Sequence, residues 1–249
     1  MMAKDARRPG RPRTAVVTGV TSGIGAAITA RMLADGATVV GVGRDKQLLS
    51  AAADRWGARF HPVVADLGDP DSAQACLEEI NAALPHLDAL VNNAAQILYE
   101  PPGTLPIEQW RRLLETNLLT AINLIRGLLP ALGPTGHIVN ISSATARFLP
   151  DASFAPYALT KVALEEFTEA LRLELRGRGP RVSVVRLGLV DTPAYAKVAG
   201  FEHVRGRLTQ QIPRWLDPAD VVEAVGWMLA RPEHVTVADL TLLPVGQAR

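Results

Sequence analysis

The amino-acid sequence predicts an α/β protein built on a doubly wound, seven-stranded parallel sheet with helices on both faces. Short β-rich runs alternate with helical patterns, which favours parallel strands joined by crossover helices. A glycine-rich turn links the first run to the first helical pattern, and polar residues follow the ends of several strands. These features together are typical of a single-domain Rossmann fold, in which ligands bind beyond the carboxyl ends of the strands.

Composition favours one globular domain without a polyanionic partner. The 249 residues are 48% hydrophobic and 20% charged, and the net charge is +1. We predict a disordered basic tail at residues 1–13 and a single domain over residues 14–249. The basic run at residues 8–13 faintly resembles a segment that binds the minor groove of DNA. It neutralises few phosphates, so we expect no nucleic-acid partner.

The chain carries no pattern of export or membrane insertion. No apolar run is long enough to span a bilayer, and no apolar stretch follows the N-terminal charges. Cys76 is the single cysteine and cannot form an internal disulfide. We therefore expect a cytoplasmic protein with no membrane partner and no metal site.

The first strand, residues 15–17, leads into a glycine-rich turn and then a helix that ends near residue 35. Glycines let the backbone approach a pyrophosphate, whose charge is favoured at the helix N-terminus. The spacing of Gly19, Gly23 and Gly25 differs from the Gly-x-Gly-x-x-Gly dinucleotide fingerprint. A glycine-rich turn without a ligand is the alternative, which the flanking strand and helix disfavour.

The second strand, residues 38–42, ends at Gly43 and Arg44. Folds that bind NAD place an acidic residue near this strand end to hold the ribose 2′-hydroxyl. Here Gly43 occupies that place, and the Arg44 guanidinium matches a 2′-phosphate in charge and geometry. The sequence therefore predicts NADP(H). A solvated Arg44, or an Arg44 paired with Asp45, remains an alternative.

The rest of the chain continues the alternation. Further strands are predicted at residues 60–65, 88–91, 137–141, 181–187 and 236–243. Helices are predicted at residues 69–84, 107–132, 157–175 and 217–230, and an irregular stretch at residues 188–216.

Tyr157 and Lys161 stand four residues apart near the start of a helix, so both lie on one helix face. A phenol beside an ammonium is suited to general acid/base catalysis, and we expect the cation to lower the pKa of Tyr157. An isolated pair with this spacing is more often an exposed helical pair, so the interpretation depends on the other motifs.

Five motifs in order make the chain resemble a short-chain dehydrogenase/reductase from residue 14 to residue 243. They are Thr18-Gly19-x-x-x-Gly23-Ile24-Gly25, Asn92-Asn93-Ala94-Ala95, Asn117, Ser143 and Tyr157-x-x-x-Lys161. The C-terminal segment is similar to a subgroup that includes 3-hydroxy-acid dehydrogenases and the reductase that makes clavulanic acid from its aldehyde.

The resemblance implies catalytic roles for four residues. Tyr157 is the general acid that protonates a carbonyl oxygen as hydride arrives, or the base in the reverse direction. Lys161 binds the nicotinamide ribose and holds the Tyr157 pKa down. Ser143 polarises the substrate oxygen, and Asn117 holds a water that links Lys161 to solvent.

The resemblance also implies a cofactor site. Asp66 would bind the adenine amino group beside Leu67, Asn92 would bind mainly to the sheet, and Thr192 would contact the nicotinamide carboxamide. The expected cofactor contacts are Gly19, Thr21, Ser22, Gly23, Ile24, Gly25, Arg44, Asp66, Leu67, Asn93, Ala94, Tyr157, Lys161, Gly188, Val190 and Thr192.

Three positions depart from the family pattern. Ala95 replaces a usual glycine, which narrows the wall near the nicotinamide and excludes a glycine-only backbone angle. Leu187 replaces the proline of a usual Pro-Gly, so the loop beside the nicotinamide loses a rigid φ. The interval from Ser143 to Tyr157 is about one residue longer than usual; because Ser142 would lengthen it further, Ser143 is the better candidate.

The expected substrate is a small or medium, partly apolar carbonyl or alcohol compound, reduced as a ketone or aldehyde in a biosynthetic pathway. Residues 95–104, 144–156 and 194–215 should face it, with residues 189–216 acting as a lid. These segments carry Tyr99, Phe148, Phe154, Tyr195, Phe201 and Trp215, and also Arg147, Lys197, His203, Arg205 and Arg207. Arg147 is a candidate anchor for an anionic group.

The sequence also bears on the oligomeric state and on two alternative functions. The resemblance implies a homodimer or homotetramer through the helices that carry Asn117 and Tyr157. Its candidate contact residues are Leu124, Leu128, Phe167 and Leu171, which are also plausible core. The rivals are a dehydratase or epimerase without net cofactor turnover, and a non-catalytic nucleotide sensor. Intact Ser143, Tyr157, Lys161 and Asn117 argue against the sensor.

Overall fold

The structure is a computed structural model that describes residues 12–198 and 201–247, apart from the side chains of Lys197, Phe201, His203 and Arg207. The predicted tail therefore lies mostly outside the described residues. Its last residue belongs to the fold, because the backbone N–H of Arg13 donates to Asp88 Oδ2 at 2.7 Å.

The predicted seven-stranded parallel sheet is confirmed, with strand order β3-β2-β1-β4-β5-β6-β7. The strands are β1 Thr14–Thr18, β2 Thr38–Gly43, β3 Phe60–Val64, β4 Ala89–Asn92, β5 His137–Ser143, β6 Arg181–Leu187 and β7 Asp239–Leu242. The order reverses between β1 and β4, and this switch point opens a crevice beyond the carboxyl ends of the strands.

Helices cover both faces of the sheet. They are α1 Gly23–Ala34, α2 Lys46–Trp56, α3 Pro70–Ala83, α4 Ile107–Leu114, α5 Thr120–Leu132, α6 Ala155–Glu174, α7 Phe201–Gln211 and α8 Pro218–Leu229. Side chains of β1 alternate between two hydrophobic clusters: Ala15 and Val17 face α1 and α8, whereas Val16 faces α3, α5 and α6.

The segment predicted as one helix over residues 107–132 is helical throughout but changes its winding. A π-helical turn, Glu115–Leu119, separates α4 from α5, and the backbone N–H of Thr120 bonds to the Glu115 carbonyl five residues back. Turns of this kind are rare in proteins, and those that do occur often lie at functional sites. This turn contains Asn117, so the wider winding helps to direct a buried amide.

The segment predicted as irregular at residues 188–216 contains a short 3₁₀ turn, Pro193–Lys197, and the helix α7. Helical periodicity is faint in α7 because most of its residues are polar. Val204 is buried and Leu208 is partly buried on the same face, one turn apart.

The last strand is shorter than predicted, Asp239–Leu242 in place of residues 236–243. Among the described residues, no helix is long and apolar enough to cross a membrane.

The apolar residues named as candidate subunit contacts are mostly internal, so the structure supports the alternative that they belong to the core. Leu124, Leu128 and Leu171 are buried in the cluster between α3, α5, α6 and the sheet, and Phe167 packs against it. A different set of apolar side chains is exposed on α6 and the π-helical turn: Leu119 at 44%, Leu159 at 54%, Val162 at 38% and Leu173 at 55%.

Gly41 provides a test of the packing between β2 and β3. A Cβ at Gly41 would lie 2.3 Å from Phe60 Cε2 and 2.7 Å from Cζ. The Phe60 ring is also held edge-on by Trp56, with ring centroids 4.7 Å apart. We expect Gly41→Ala to lower the free energy of unfolding by about 1–3 kcal/mol, measured by urea denaturation.

Gly226→Ala is the matched control, because a Cβ at Gly226 in α8 would meet nothing within 4 Å. We expect this second substitution to raise the free energy of unfolding by about 0.5–1 kcal/mol through helix propensity. Equal urea midpoints for the two variants would contradict the packing described for Gly41.

Candidate active site

The crevice at the switch point is a cavity of about 510 Å³. Most of the predicted site residues line it: Gly19, Thr21, Ser22, Gly23, Ile24, Arg44, Asp66, Leu67, Asn93, Ala94, Ser143, Tyr157, Lys161, Gly188, Val190 and Thr192. Gly25 and Asn117 do not line it; both contact residues that form its wall.

Glycines shape the turn after β1 for close approach. Gly19 and Gly23 have φ angles of +74° and +56°, which side chains disfavour. A Cβ at Gly25 would lie 2.2 Å from the Gly19 carbonyl oxygen and 2.5 Å from Asn93 Nδ2. Asn93 holds this turn by donating to the Thr18 carbonyl at 2.8 Å. The N-terminus of α1 thereby opens onto the cavity, an arrangement that favours a bound anion.

Arg44 and Asp45 have separate environments. The Asp45 carboxylate caps α2 by accepting from the Leu48 N–H at 3.0 Å. Arg44 is exposed at the cavity rim, and its charge helps to lower the pKa of Asp66. The Arg44 guanidinium therefore lines the cavity, while the Asp45 carboxylate is occupied at the start of α2.

Asp66 is held by a partner that sequence analysis missed. Arg112 of α4 donates to Asp66 Oδ2 at 2.7 Å, and the Gly68 N–H donates to Oδ1 at 3.0 Å. Both hydrogen bonds lower the pKa of Asp66, Arg112 having the larger effect. Asp66 is thus an oriented carboxylate. Nothing in the sequence around Arg112 indicates that its side chain contacts Asp66.

The segment after β4 is tied to the sheet. Buried Asn92 donates to Asn140 Oδ1 of β5 at 2.9 Å, as expected of a residue that binds mainly to the sheet. The described residues include no positive φ outside glycine, so Ala95 lies in the cavity wall without backbone strain.

Asn117 is buried and its amide is satisfied within the protein. Its Oδ1 accepts from the Gln96 N–H at 2.7 Å, and its Nδ2 donates to the Gln96 carbonyl at 2.9 Å and to Thr160 Oγ1 at 3.1 Å. The side chain therefore joins the π-helical turn to the cavity wall and to α6.

Lys161 is buried at 2% exposure, and its Nζ donates to the Ile141 carbonyl of β5 at 2.9 Å. Burial lowers the pKa of Lys161 to about 8, against an opposing effect of Glu165. The ammonium form is consequently retained at neutral pH, in a site with little water to solvate it.

Tyr157 does not show the lowered pKa expected from its neighbour, so that expectation is wrong for the chain described. Burial raises the pKa of Tyr157, Tyr195 raises it further, and a hydrogen bond with Ser143 opposes both. Lys161 Nζ lies 5.8 Å from the centroid of the Tyr157 ring. Loss of hydration disfavours the phenolate more than the hydrogen bond with Ser143 favours it, and Tyr157 keeps its proton at neutral pH.

The two candidate serines have different surroundings. Ser142 is buried and donates to Glu165 Oε1 at 2.7 Å, an oxygen that Arg186 Nε also contacts at 2.8 Å. Arg147 pairs with the other carboxylate oxygen at 3.1 Å, which makes it a partner of this buried acid. Ser143 lies at the cavity surface beside Tyr157, which supports the choice of Ser143.

A second chamber of about 330 Å³ meets the first cavity at Ser143 and Tyr157. Its wall is mostly apolar and includes Ile97, Phe148, Phe154, Leu187, Leu189, Tyr195, Val204, Leu208 and Ile212. Edge-on aromatic pairs stiffen this region, Tyr99 with Phe154 at 4.9 Å and Tyr195 with Trp215 at 5.6 Å. The predicted substrate-facing side chains of Lys197, Phe201, His203 and Arg207 lie outside the description.

Chemically, the junction can bind and protonate one oxygen atom. Thr145 donates to Ser143 Oγ from its N–H at 3.2 Å and from its hydroxyl at 2.9 Å, which directs the Ser143 proton elsewhere. Tyr157 offers a second hydroxyl at the same junction. A carbonyl in the apolar chamber can place its oxygen between these two donors while a ligand in the larger cavity approaches its carbon.

Comparison with known proteins agrees with this geometry. A family model described as short chain dehydrogenase matches residues 13–202. Serine 3-dehydrogenase of Agrobacterium fabrum is 31% identical over 239 residues, which span 94% of this chain and 95% of that protein. NADP-dependent 3-hydroxy acid dehydrogenase YdfG of Escherichia coli strain K12 is 34% identical over 242 residues, again 94% and 95% of the two chains.

Solved structures share the fold. The closed form of serine dehydrogenase complexed with NADP⁺ matches with a TM-score of 0.85 at 32% identity, covering 95% of this chain and 96% of that one. A blue fluorescent protein from a metagenomic library, in complex with NADPH, matches with a TM-score of 0.85 at 30% identity, covering 95% and 98%.

Proposed function

The chain belongs to the short chain dehydrogenase family, and on that premise we propose that it is an NADPH-dependent oxidoreductase for a carbonyl or alcohol group. Its substrate is a medium-sized, partly apolar ketone or aldehyde, reduced in a biosynthetic pathway. The observation that carries the proposal is the junction of a polar, glycine-rimmed cavity with an apolar chamber at Ser143 and Tyr157.

The residues of the larger cavity fit NADP(H). The α1 N-terminus and the glycine turn suit the diphosphate, Arg44 suits a 2′-phosphate, and Asp66 suits the adenine amino group. Lys161 lines the same cavity, which supports a role in binding the ribose hydroxyls. NADP⁺ and NADPH in the two solved relatives support this choice.

The bound nicotinamide supplies the hydride, and the protein supplies binding and proton transfer. Ser143 donates to the carbonyl oxygen and polarises it. Tyr157, protonated at neutral pH, donates a second hydrogen bond and transfers its proton to that oxygen. The Lys161 ammonium stabilises the phenolate that results. In the oxidative direction the same phenolate accepts the proton from the alcohol.

Residues 189–216 form the proposed lid, since their 3₁₀ turn and α7 carry Tyr195, Val204 and Leu208 into the wall of the chamber. Cys76 is a free, buried thiol, which supports a reducing, cytoplasmic location.

Tyr157→Phe tests the reaction. Because the hydroxyl is the proton donor, we expect kcat for ketone reduction to fall about 10²–10⁴-fold. NADPH affinity, read by nicotinamide fluorescence, should stay near the wild-type value. All three tyrosines line the larger cavity, so thermal unfolding followed by circular dichroism serves as the control for folding.

Retention of most of kcat by Tyr157→Phe would contradict the proposed role. Product formation without net NADPH consumption by the wild type would instead favour the dehydratase or epimerase alternative. NADPH binding without any turnover would favour the sensor.

Arg44→Gln tests the cofactor preference. Loss of a charge-assisted contact with the 2′-phosphate should raise the Kd for NADPH about 10–100-fold. The Kd for NADH should change little, because NADH lacks that phosphate. Arg55→Gln, at an exposed site on α2, is the matched control and should leave both values unchanged. A wild-type preference for NADH would overturn the assignment.

We also propose a homodimer or homotetramer, assembled through the exposed stripe of Leu159, Val162 and Leu173 on α6. Isolated exposed apolar side chains are common, but three on one helix face suit an interface. Leu159→Lys should shift the mass measured by light scattering toward the 26.7 kDa monomer. Leu48→Lys, at a similarly exposed leucine of α2, should not change the mass. A wild-type monomer at micromolar concentration would contradict the proposal.

A further inference from the structure

Glu165, one helical turn beyond Lys161 on α6, is a buried acid at a point where three elements of the site meet. Its side chain is 4% exposed. Its Oε1 accepts from the hydroxyl of Ser142 at 2.7 Å and from Nε of Arg186 at 2.8 Å. Its Oε2 pairs with Nη2 of Arg147 at 3.1 Å. Both carboxylate oxygens therefore have partners, as a buried charge requires.

These contacts hold Ser143 from both sides along the chain. Ser142 directly precedes Ser143, whose backbone is extended at the end of β5, with φ −135° and ψ 149°. Arg147 follows four residues later, after a 3₁₀ turn in the wall of the chamber. Because Ser142 and Arg147 bind to one carboxylate, the strand end and the turn cannot shift independently. The Ser143 hydroxyl between them is thereby kept beside Tyr157.

Arg186 links the same acid to the loop that follows β6. Its Nη2 also donates to Asp239 Oδ1 of β7 at 3.0 Å, which fixes the guanidinium to the neighbouring strand. Two residues further on, a Cβ at Gly188 would lie 2.3 Å from Gln247 Oε1, an oxygen that accepts from the Leu189 N–H at 3.0 Å. The loop is thus packed against the C-terminal segment, and Glu165 binds to a part of the sheet that is itself held in place.

Glu165 also compensates the charge of Lys161. Burial lowers the pKa of Lys161 to about 8, and Glu165 raises that pKa against the effect of burial. Both arginines of the cluster have the same sign of charge as Lys161, so they do not favour its ammonium form. The other titratable and charged side chains described around this pair are Tyr157 of α6, Arg147 after β5, Arg186 of β6 and, beyond Arg186, Asp239 of β7.

We propose that Glu165 is a positioning residue for carbonyl reduction. Its carboxylate fixes the Ser143 hydroxyl at the junction of the two cavities and keeps Lys161 in the ammonium form that stabilises the Tyr157 phenolate. Glu165 lines neither cavity, so it acts through its neighbours and not on a ligand. This inference rests on the proposed reductase function.

Glu165→Gln tests the role of the charge, because it keeps the shape and an oxygen that can accept from Ser142. Lys161 is one of four lysines in the chain, so NMR of protein with ¹³C-labelled lysine can follow its protonation, and Lys161→Arg identifies its signal. We expect a midpoint near pH 8 in the wild type and about one unit lower in Glu165→Gln, since loss of an opposite charge favours the neutral amine. Equal midpoints would overturn the inference.

The pH dependence of ketone reduction separates this role from a general loss of structure. At about pH 6 Lys161 is protonated in both proteins, so misplacement of Ser143 alone should lower kcat of Glu165→Gln about tenfold. Toward pH 8 the variant loses the ammonium ion first, and the deficit should grow about fivefold further. A deficit that is equal at every pH would indicate a purely structural role and overturn the inference. Glu79→Gln, at an exposed site on α3, is the matched control and should change neither kcat nor the midpoint.

Ser142→Ala tests the positioning of Ser143 with the Glu165 charge in place. Because it removes one hydrogen bond, kcat should fall about three- to tenfold at every pH, with the Lys161 midpoint near the wild-type value. Full kcat in Ser142→Ala would overturn the positioning of Ser143 by Glu165. A wild type that reduced no carbonyl compound would contradict the proposed function, whereas the NMR titration would still support or overturn the role of the Glu165 charge.

Discussion

Burial of the Lys161 ammonium at the end of β5 is the interaction on which the site depends. A buried cation is costly unless it is hydrogen-bonded and compensated by opposite charge. Lys161 donates to the Ile141 carbonyl, and Glu165 lies one helical turn further along α6. This contact fastens α6 to the sheet where the carboxyl ends of β4 and β5 open. Tyr157, one turn earlier, is thereby held at the junction of the two cavities.

The two cavities have opposite chemical character, and their meeting point explains how one site can combine two ligands. The larger cavity is rimmed by backbone N–H groups and Arg44, which suit nucleotide phosphates, and by Asp66, which can accept from an amino group. The chamber is walled by aromatic and aliphatic side chains, suited to an apolar compound. Ser143, Tyr157 and Tyr195 are the described residues that carry a hydroxyl in the wall of both cavities. That placement brings proton donors to the region that both ligands can reach.

The predictions that failed were those that depended on the three-dimensional surroundings of a side chain, and not on the spacing of residues in the sequence. The expected low pKa of Tyr157 followed from the nearby cation, but loss of water around the phenol raises that pKa. Leu124 and Leu128 have the helical periodicity of any apolar face, and sequence does not show which face meets the sheet. The polar helix α7 was missed because its apolar face is narrow. Arg112, which holds Asp66, is an ordinary helical arginine in the sequence.

The sequence by itself determined the succession of the seven strands, the parallel sheet, the glycine turn and the pairing of Tyr157 with Lys161, because each follows from local spacing or alternation. It also indicated Ser143 over Ser142, a choice that agrees with the contact of Ser142 with Glu165. Tertiary structure alone decided the partners of Asp66, the placing of Gln247 against Gly188 and the pKa of Tyr157. Those properties depend on atoms that are distant in the chain and on the water they exclude, and neither is encoded in local pattern.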